Sequence, residues 1–295
     1  MEGTESVHVK ANGIMFHCEV AGEGPLCICI HGWPETRYSW RNQVPLLARK
    51  FKVVVPDMRG YGDTFAPWAV EDYLLDVLLK DVKGLIEAFG YREAVLVSHD
   101  WGAVIGIHYA EAYPETVSKL VWSDGVHLGD YYNLVVKQKN LMQMLRGWYI
   151  LFNFAPSLTS ALYAMHDFWV LDKLIERYAV RKEKLNREVM APWKAILRRS
   201  GLRGGMMYYR ANLVRLFDYS PEKLGARLKG NRIKCPVRGV WGDTDRALSK
   251  ELAHAVKDRI DGPFDLHFIK NCGHWVQQEA PEEYNEQLAD FLEIR

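Results

Sequence analysis

The stretch Ala94-Val95-Leu96-Val97-Ser98-His99-Asp100-Trp101-Gly102-Ala103 decides how this chain folds. Its first four residues form a short apolar run of the kind buried on both faces of a sheet, and Ala103 to Ala112, stopped by Pro114, has the character of a helix. Strand and helix are joined by a turn of only a few residues. A turn that tight leaves no room for bulk on either side of its tip, which accounts for Ser98 and Gly102 and leaves Asp100 standing at the tip. Two roles suit an aspartate there: a nucleophile, or an N-cap for the helix that follows. Ser98 carries a hydroxyl but occupies a tucked-in position; a serine nucleophile would need Ser at 100.

Outward from this turn the same rhythm repeats. Val117 to Val121 is strand-like, as are Leu26 to Ile30 and Lys52 to Val55 upstream, while Asp72 to Phe89 places Leu75, Leu78, Leu79, Val82, Leu85, Ile86 and Phe89 on one helical face, with Gly90 just past its end. Val7 to Lys10 and Ile14 to Val20, separated by Ala11-Asn12-Gly13, read as a hairpin. Strands alternating with helices imply a mostly parallel central sheet with helices on both faces, because parallel neighbours need a crossover. From Leu128 to Tyr219 helical and aromatic segments take over. After a loop at Pro221 to Lys234 come a strand at Val237 to Trp241, a helix at Lys250 to Ile260, a strand at Phe264 to Ile269 and a closing helix at Pro281 to Ile294. The expected organisation is an α/β core over 1–127 and 221–295 with an inserted helical cap over 128–220.

Composition narrows the function. Of 295 residues 48% are apolar and 25% charged, ordinary for a globular chain able to bury a large core. Lys plus Arg (38) nearly cancels Asp plus Glu (37), so no bulk field draws nucleic acid, and a small neutral substrate is expected. Five scattered cysteines lack the spacing of a zinc site or a disulfide scaffold, and the N-terminus has no apolar run, which together point to a reducing, cytoplasmic setting. Gly147 to Met165 carries no charge, yet Pro156 would interrupt a spanning helix there. Two short helices in an apolar lid are expected instead, with peripheral membrane contact through the cap open to it.

With these residues in view, the chain resembles the α/β-hydrolase superfamily, and within it the epoxide hydrolases and haloalkane dehalogenases, whose nucleophile at this turn is Asp. The resemblance runs over nearly the whole length. It is carried by His31-Gly32-Trp33-Pro34, Asp57-Met58-Arg59-Gly60-Tyr61-Gly62-Asp63-Thr64, the turn at Asp100, Gly242-Asp243-Thr244-Asp245 and Cys272-Gly273-His274, in that order. A carboxylate is already ionised at neutral pH, needs no base to prepare it, and can displace a leaving group from saturated carbon to give an alkyl-enzyme ester. Hydrolysing that ester requires an activated water. Among ten histidines, His274, between a strand and the last helix, best suits the base; His254, His267 and His99 sit within elements or the turn and are expected to be structural.

The resemblance places the acid that orients His274 at Asp245. Asp243 could cap the turn, and Asp124, after the strand at 117–121, is a rival, since some dehalogenases take their acid from that loop. Backbone N–H groups of Trp33 and Trp101 are expected to form the oxyanion hole, with His31 and Arg59 bracing these loops, and relatives hold the bond before Pro34 cis.

The leaving group's helper separates the two substrate classes. An epoxide opens to an alkoxide that wants a tyrosine hydroxyl, whereas a halide wants neutral indole or amide donors. Tyr149, seven residues before Pro156, and Tyr209, directly before Arg210, are similar to the two cap tyrosines of epoxide hydrolases, with Tyr208 a neighbour that could be mistaken for Tyr209. Trp33 replaces the Asn of many dehalogenases, and Trp101 replaces the Arg of fluoroacetate dehalogenases. An epoxide hydrolase is therefore expected, needing no cofactor and no metal, acting on hydrophobic epoxides with water as co-substrate, as monomer or homodimer. Trp33, Trp101, Trp148 and Phe152 are expected against the substrate, in a pocket to which Phe154, Phe168 and Trp169 also contribute. The alternatives are a haloalkane dehalogenase on the same Asp and a non-catalytic small-ligand receptor.

Overall fold

The computed structural model describes residues 1–213 and 231–295. Strands β1 (Glu5–Ala11) and β2 (Ile14–Ala21) form a hairpin whose two-residue turn places Asn12 at φ 43° and Gly13 at φ 80°, the left-handed pair that suits the twist of paired strands. The remaining strands are β3 (Leu26–Ile30), β4 (Lys52–Pro56), β5 (Ala94–His99), β6 (Val117–Ser123), β7 (Val237–Gly242) and β8 (Phe264–Ile269). They build one eight-stranded sheet in the order β1-β2-β4-β3-β5-β6-β7-β8, antiparallel at β1/β2 and β2/β4 and parallel from β4 to β8.

Alternation along each strand feeds two cores. In β3, Leu26, Ile28 and Ile30 join the face covered by Leu78, Val82, Leu85 and Ile107, whereas Cys27 and Cys29 join the face covered by Trp40, Leu47, Tyr284 and Leu288. The five cysteines are free and buried, behaving as small apolar groups. The helix expected from residue 72 starts only at Leu75, because Leu74 is extended and the Leu75 N–H is capped by Asn212 Oδ1 at 2.9 Å, a partner far away in sequence.

Between β6 and β7 the described chain is helical, with helices Leu141–Arg146, Pro156–Ala164, Trp169–Tyr178, Arg187–Ser200 and Arg203–Asn212. Pro156 opens its helix at the first turn, where a missing N–H costs nothing. The expected boundary at 220/221, and most of the loop at 221–234, fall outside the described residues. Among the described residues, no helix is long and apolar enough to cross a membrane.

Candidate active site

Asp100 follows β5 directly and precedes the helix Trp101–Ala112, at φ 51° and ψ −120°. Positive φ in a non-glycine residue is strained and persists only where the surroundings fix it. Here the Asp100 N–H donates to the Ser123 carbonyl at 3.1 Å and its carbonyl accepts from Val104 N–H at 2.9 Å. A side chain at 102 would run into the Ile30 and His31 carbonyls, so the helix approaches β3 only because residue 102 is glycine. The Asp100 carboxylate makes no capping bond to its helix. It turns instead to the loop after β3, where the Trp33 N–H donates to Oδ1 at 2.6 Å across a loop with a cis Trp33-Pro34 bond. Trp193 from the cap fixes that loop, its indole N–H donating to the Pro34 carbonyl at 2.9 Å.

His274 lies beyond β8 with Nε2 3.5 Å from Asp100 Oδ2 and Nδ1 3.0 Å from Asp245 Oδ2. Asp245 is itself held, its Oδ1 accepting the N–H groups of Ala247 (2.6 Å) and Leu248 (3.1 Å). Burial alone would lower the His274 pKa, but the charges of Asp245 and Asp100 outweigh it and raise the imidazole well above its usual range. Asp124, the rival acid, is wholly buried, accepts the Gly242 N–H on Oδ1 at 3.1 Å and has no partner on Oδ2. Burial and the neighbouring Asp245 charge push its carboxyl well up. Asp243 braces its turn, accepting from the Thr244 hydroxyl at 2.7 Å.

Among the described residues two groups of side chains have metal-like spacing, and both have other occupations. Asp124, Asp245 and His274 already use His274 Nδ1 for Asp245; around His17, Asp57 and Asp63, the Arg37 guanidinium bonds both aspartates and supplies the cation.

Among the tyrosines, Tyr208 donates to the Arg59 carbonyl at 2.9 Å, so its hydroxyl is engaged in the core. Tyr149 stacks on Trp33 with ring centroids 5.7 Å apart, and Tyr209 meets Trp33 (5.8 Å) and Trp101 (5.1 Å) edge-on. Burial and the Asp100 charge hold the Tyr149 hydroxyl well above the ordinary tyrosine range; burial, Tyr149 and Asp100 do the same for Tyr209. Both stay protonated donors. With Asp100, Trp101, Ile150 and Leu213 they line a cavity of about 40 Å³.

Some expected contacts are corrected. Trp148 (40% exposed) and Phe152 (51%) point outward, because the turn Trp148–Phe154 buries Tyr149 and Asn153 and leaves Trp148, Leu151 and Phe152 on its outer side; from this turn Ile150 joins Tyr149 at the cavity. Trp169 is also exposed, Phe168 is buried, and the Phe154 side chain lies outside what is described. The Trp33 ring packs against the tyrosines, while its backbone N–H reaches Asp100.

Two carboxylates were not anticipated. Glu35 accepts from Gln277 (2.9 Å), Gln278 (2.7 Å) and His99 Nδ1 (2.7 Å), and His99 Nε2 reaches the His274 carbonyl at 2.8 Å. Although burial opposes it, the His99 ring beside Glu35 holds that carboxyl below the usual carboxylate range. Glu279 accepts four backbone N–H groups: Val180 and Arg181 from the cap, Gly273 and Trp275 flanking His274. Glu35 adjoins the His-Gly-Trp-Pro turn and could have been suspected; nothing local marks Glu279. His31 accepts the Met58 N–H at 3.1 Å and Arg59 pairs with Asp81, the bracing expected of both.

Residues 25–281 match the family model for the alpha/beta hydrolase fold. The chain belongs to that family. It is 31% identical to human epoxide hydrolase 4 over 293 residues, covering 97% of this chain and 78% of the relative. The AB hydrolase superfamily protein YfhM of Bacillus subtilis is 30% identical, with 99% of both chains covered. Among solved structures, an epoxide hydrolase from Bacillus megaterium in complex with an inhibitor superposes with a TM-score of 0.85 at 26% identity, covering 97% of this chain and all (100%) of the other. Epoxide hydrolase VrEH1 from Vigna radiata gives 0.82 at 28%, with 99% of each chain covered. Within the α/β hydrolases this chain groups with the epoxide hydrolases, as an enzyme.

Proposed function

We propose that the chain hydrolyses hydrophobic epoxides to vicinal diols through an ester on Asp100. The observation that carries this is the division of labour at the Asp100 carboxylate, one oxygen against the Trp33 N–H and the other facing His274 Nε2. Oδ1 is engaged, so Oδ2 attacks an epoxide carbon; the C–O bond breaks and the ring oxygen takes a proton from Tyr149 or Tyr209. Esterification removes the negative charge beside Nε2 and with it one of the influences that raise the His274 pKa. The neutral imidazole, the form that can accept a proton, thereby becomes more available when a water must be activated. His274, oriented by Asp245, takes that proton, and hydroxide adds to Cγ of Asp100. The oxyanion on Oδ1 is met by the N–H groups of Trp33 and Trp101, collapse returns the proton from His274 to the departing diol oxygen, and the proton left on the regenerated Asp100 carboxyl passes to the tyrosinate, which restores both groups.

The test is mass spectrometry of His274→Ala after exposure to an epoxide. An adduct of epoxide mass on the Asp100 peptide is expected, with one turnover at most; repeated turnover at the wild-type rate would overturn the assignment. A second reading, haloalkane dehalogenation, has one observation in its favour: the buried Trp33 indole N–H has no partner and is the kind of neutral donor a halide uses. Halide release exceeding diol formation on matched substrates would select it.

A further inference from the structure

The helix Leu141–Arg146 is inside out. Its one buried residue is Gln143, whose amide donates to the Ala247 carbonyl at 2.9 Å and accepts the Ser249 N–H at 3.0 Å, while Leu141 (66% exposed), Met142, Met144 and Leu145 face outward. Ordinary surface helices do the reverse. The apolar surface continues along the chain through Leu151 (68%) and Leu158 (64%) to Trp169. Single exposed apolar residues need no explanation, but a run of this extent marks an interaction surface.

Charge identifies the partner. Between Asp130 and Asp167 the only charged residues are Lys137, Lys139 and Arg146, all basic, although the whole chain is nearly neutral. Lys137 and Lys139 are exposed and Arg146 is half-buried, beside the apolar helix. A second copy docking there about a two-fold axis would set these cations against themselves. An anionic lipid surface complements them, takes up the leucine side chains, and suits the half-exposed Trp148 and Trp169 at the headgroup level. We infer that the outer face of the cap docks onto anionic membrane surfaces. The inference stands independently of the reaction. It also bears on substrate access, since the turn Trp148–Phe154 shows Trp148 and Leu151 to the outside and Tyr149 and Ile150 to the cavity.

The test is co-sedimentation of the full chain with vesicles of phosphatidylcholine alone and of phosphatidylcholine in which one lipid in three is phosphatidylglycerol. Wild type is expected to sediment with the anionic vesicles and to release in high salt. Each basic residue near such a surface contributes about a fivefold gain in partitioning, so Lys137→Gln/Lys139→Gln should lose about 25-fold. Leu145→Glu/Leu158→Glu should abolish sedimentation. Unchanged thermal midpoints and turnover of a water-soluble epoxide show that both variants are folded. Absence of wild-type binding, or equal binding by the variants, overturns the inference. So does a dimer that Leu145→Glu/Leu158→Glu converts to monomer without any vesicle binding, which would assign the face to a second copy.

Discussion

Gly32 offers the cleanest perturbation of the nucleophile that leaves Asp100 itself in place. Gly32 is not among the glycines with positive φ, so its backbone accepts alanine, and its N–H bond to Glu35 would be retained. A Cβ at this position, however, would lie 2.7 Å from Cγ of Asp100 and nearer still to Oδ1 and Cβ, whereas ordinary contact begins near 3.4 Å. Relief requires one of the two residues to move by about 1 Å, a misplacement that costs roughly 100-fold in rate when it falls on a reacting group. Overpacking costs about 1 to 3 kcal/mol, or several degrees in Tm for a chain of this size. Gly32→Ala should therefore stay folded, with a slightly lowered melting midpoint, and lose about two decades of kcat/KM on an epoxide in a diol-formation assay. A folded Gly32→Ala protein turning over within threefold of wild type would refute the placement of Asp100 at the reacting centre.

Tyr149→Phe and Tyr209→Phe should each slow ester formation, by about 10- to 100-fold from the loss of one donor, in stopped-flow single turnovers. Tyr208→Phe should leave that rate unchanged and cost about 1 kcal/mol in urea denaturation, the worth of its bond to the Arg59 carbonyl. Asp124→Asn should retain most activity, because an amide can still accept the Gly242 N–H and it is Asp245 that holds His274 Nδ1, whereas Asp245→Asn should lose ester hydrolysis; the reverse pattern in pre-steady-state kinetics would exchange their roles. The raised His274 pKa adds stability that is fully present below the unfolded histidine value of about 6.5 and fades as pH rises through the folded value. Urea midpoints of wild type minus His274→Gln should therefore be largest near pH 6 and shrink in alkali.

Local chemistry settled much of this protein. Small residues at 98 and 102 and the apolar runs around them fix a strand, a sharp turn and a helix, since the sterics act within a few residues. The alternation along β3 distributes its side chains between two cores without reference to anything distant. The family resemblance names Asp100, Trp33, Tyr149, Tyr209, Asp245 and His274 as candidates, because each stands at a recognisable place in a short stretch of sequence.

Tertiary structure decided what those residues face. The start of the helix at Leu75 depends on Asn212, and Tyr208 is separated from Tyr209 only by the carbonyl of Arg59. The outward positions of Trp148 and Phe152, and the inverted helix at Leu141–Arg146, follow from Tyr149 and Gln143 finding partners across the cap and core. The Asp124 carboxyl is pushed up by burial and by Asp245, and Glu35 and Glu279 become clamps on the His274 loop, through contacts between segments far apart along the chain. Electrostatics and packing act through space, so a group's ionisation and the face it presents are set by neighbours that its own stretch of sequence does not contain.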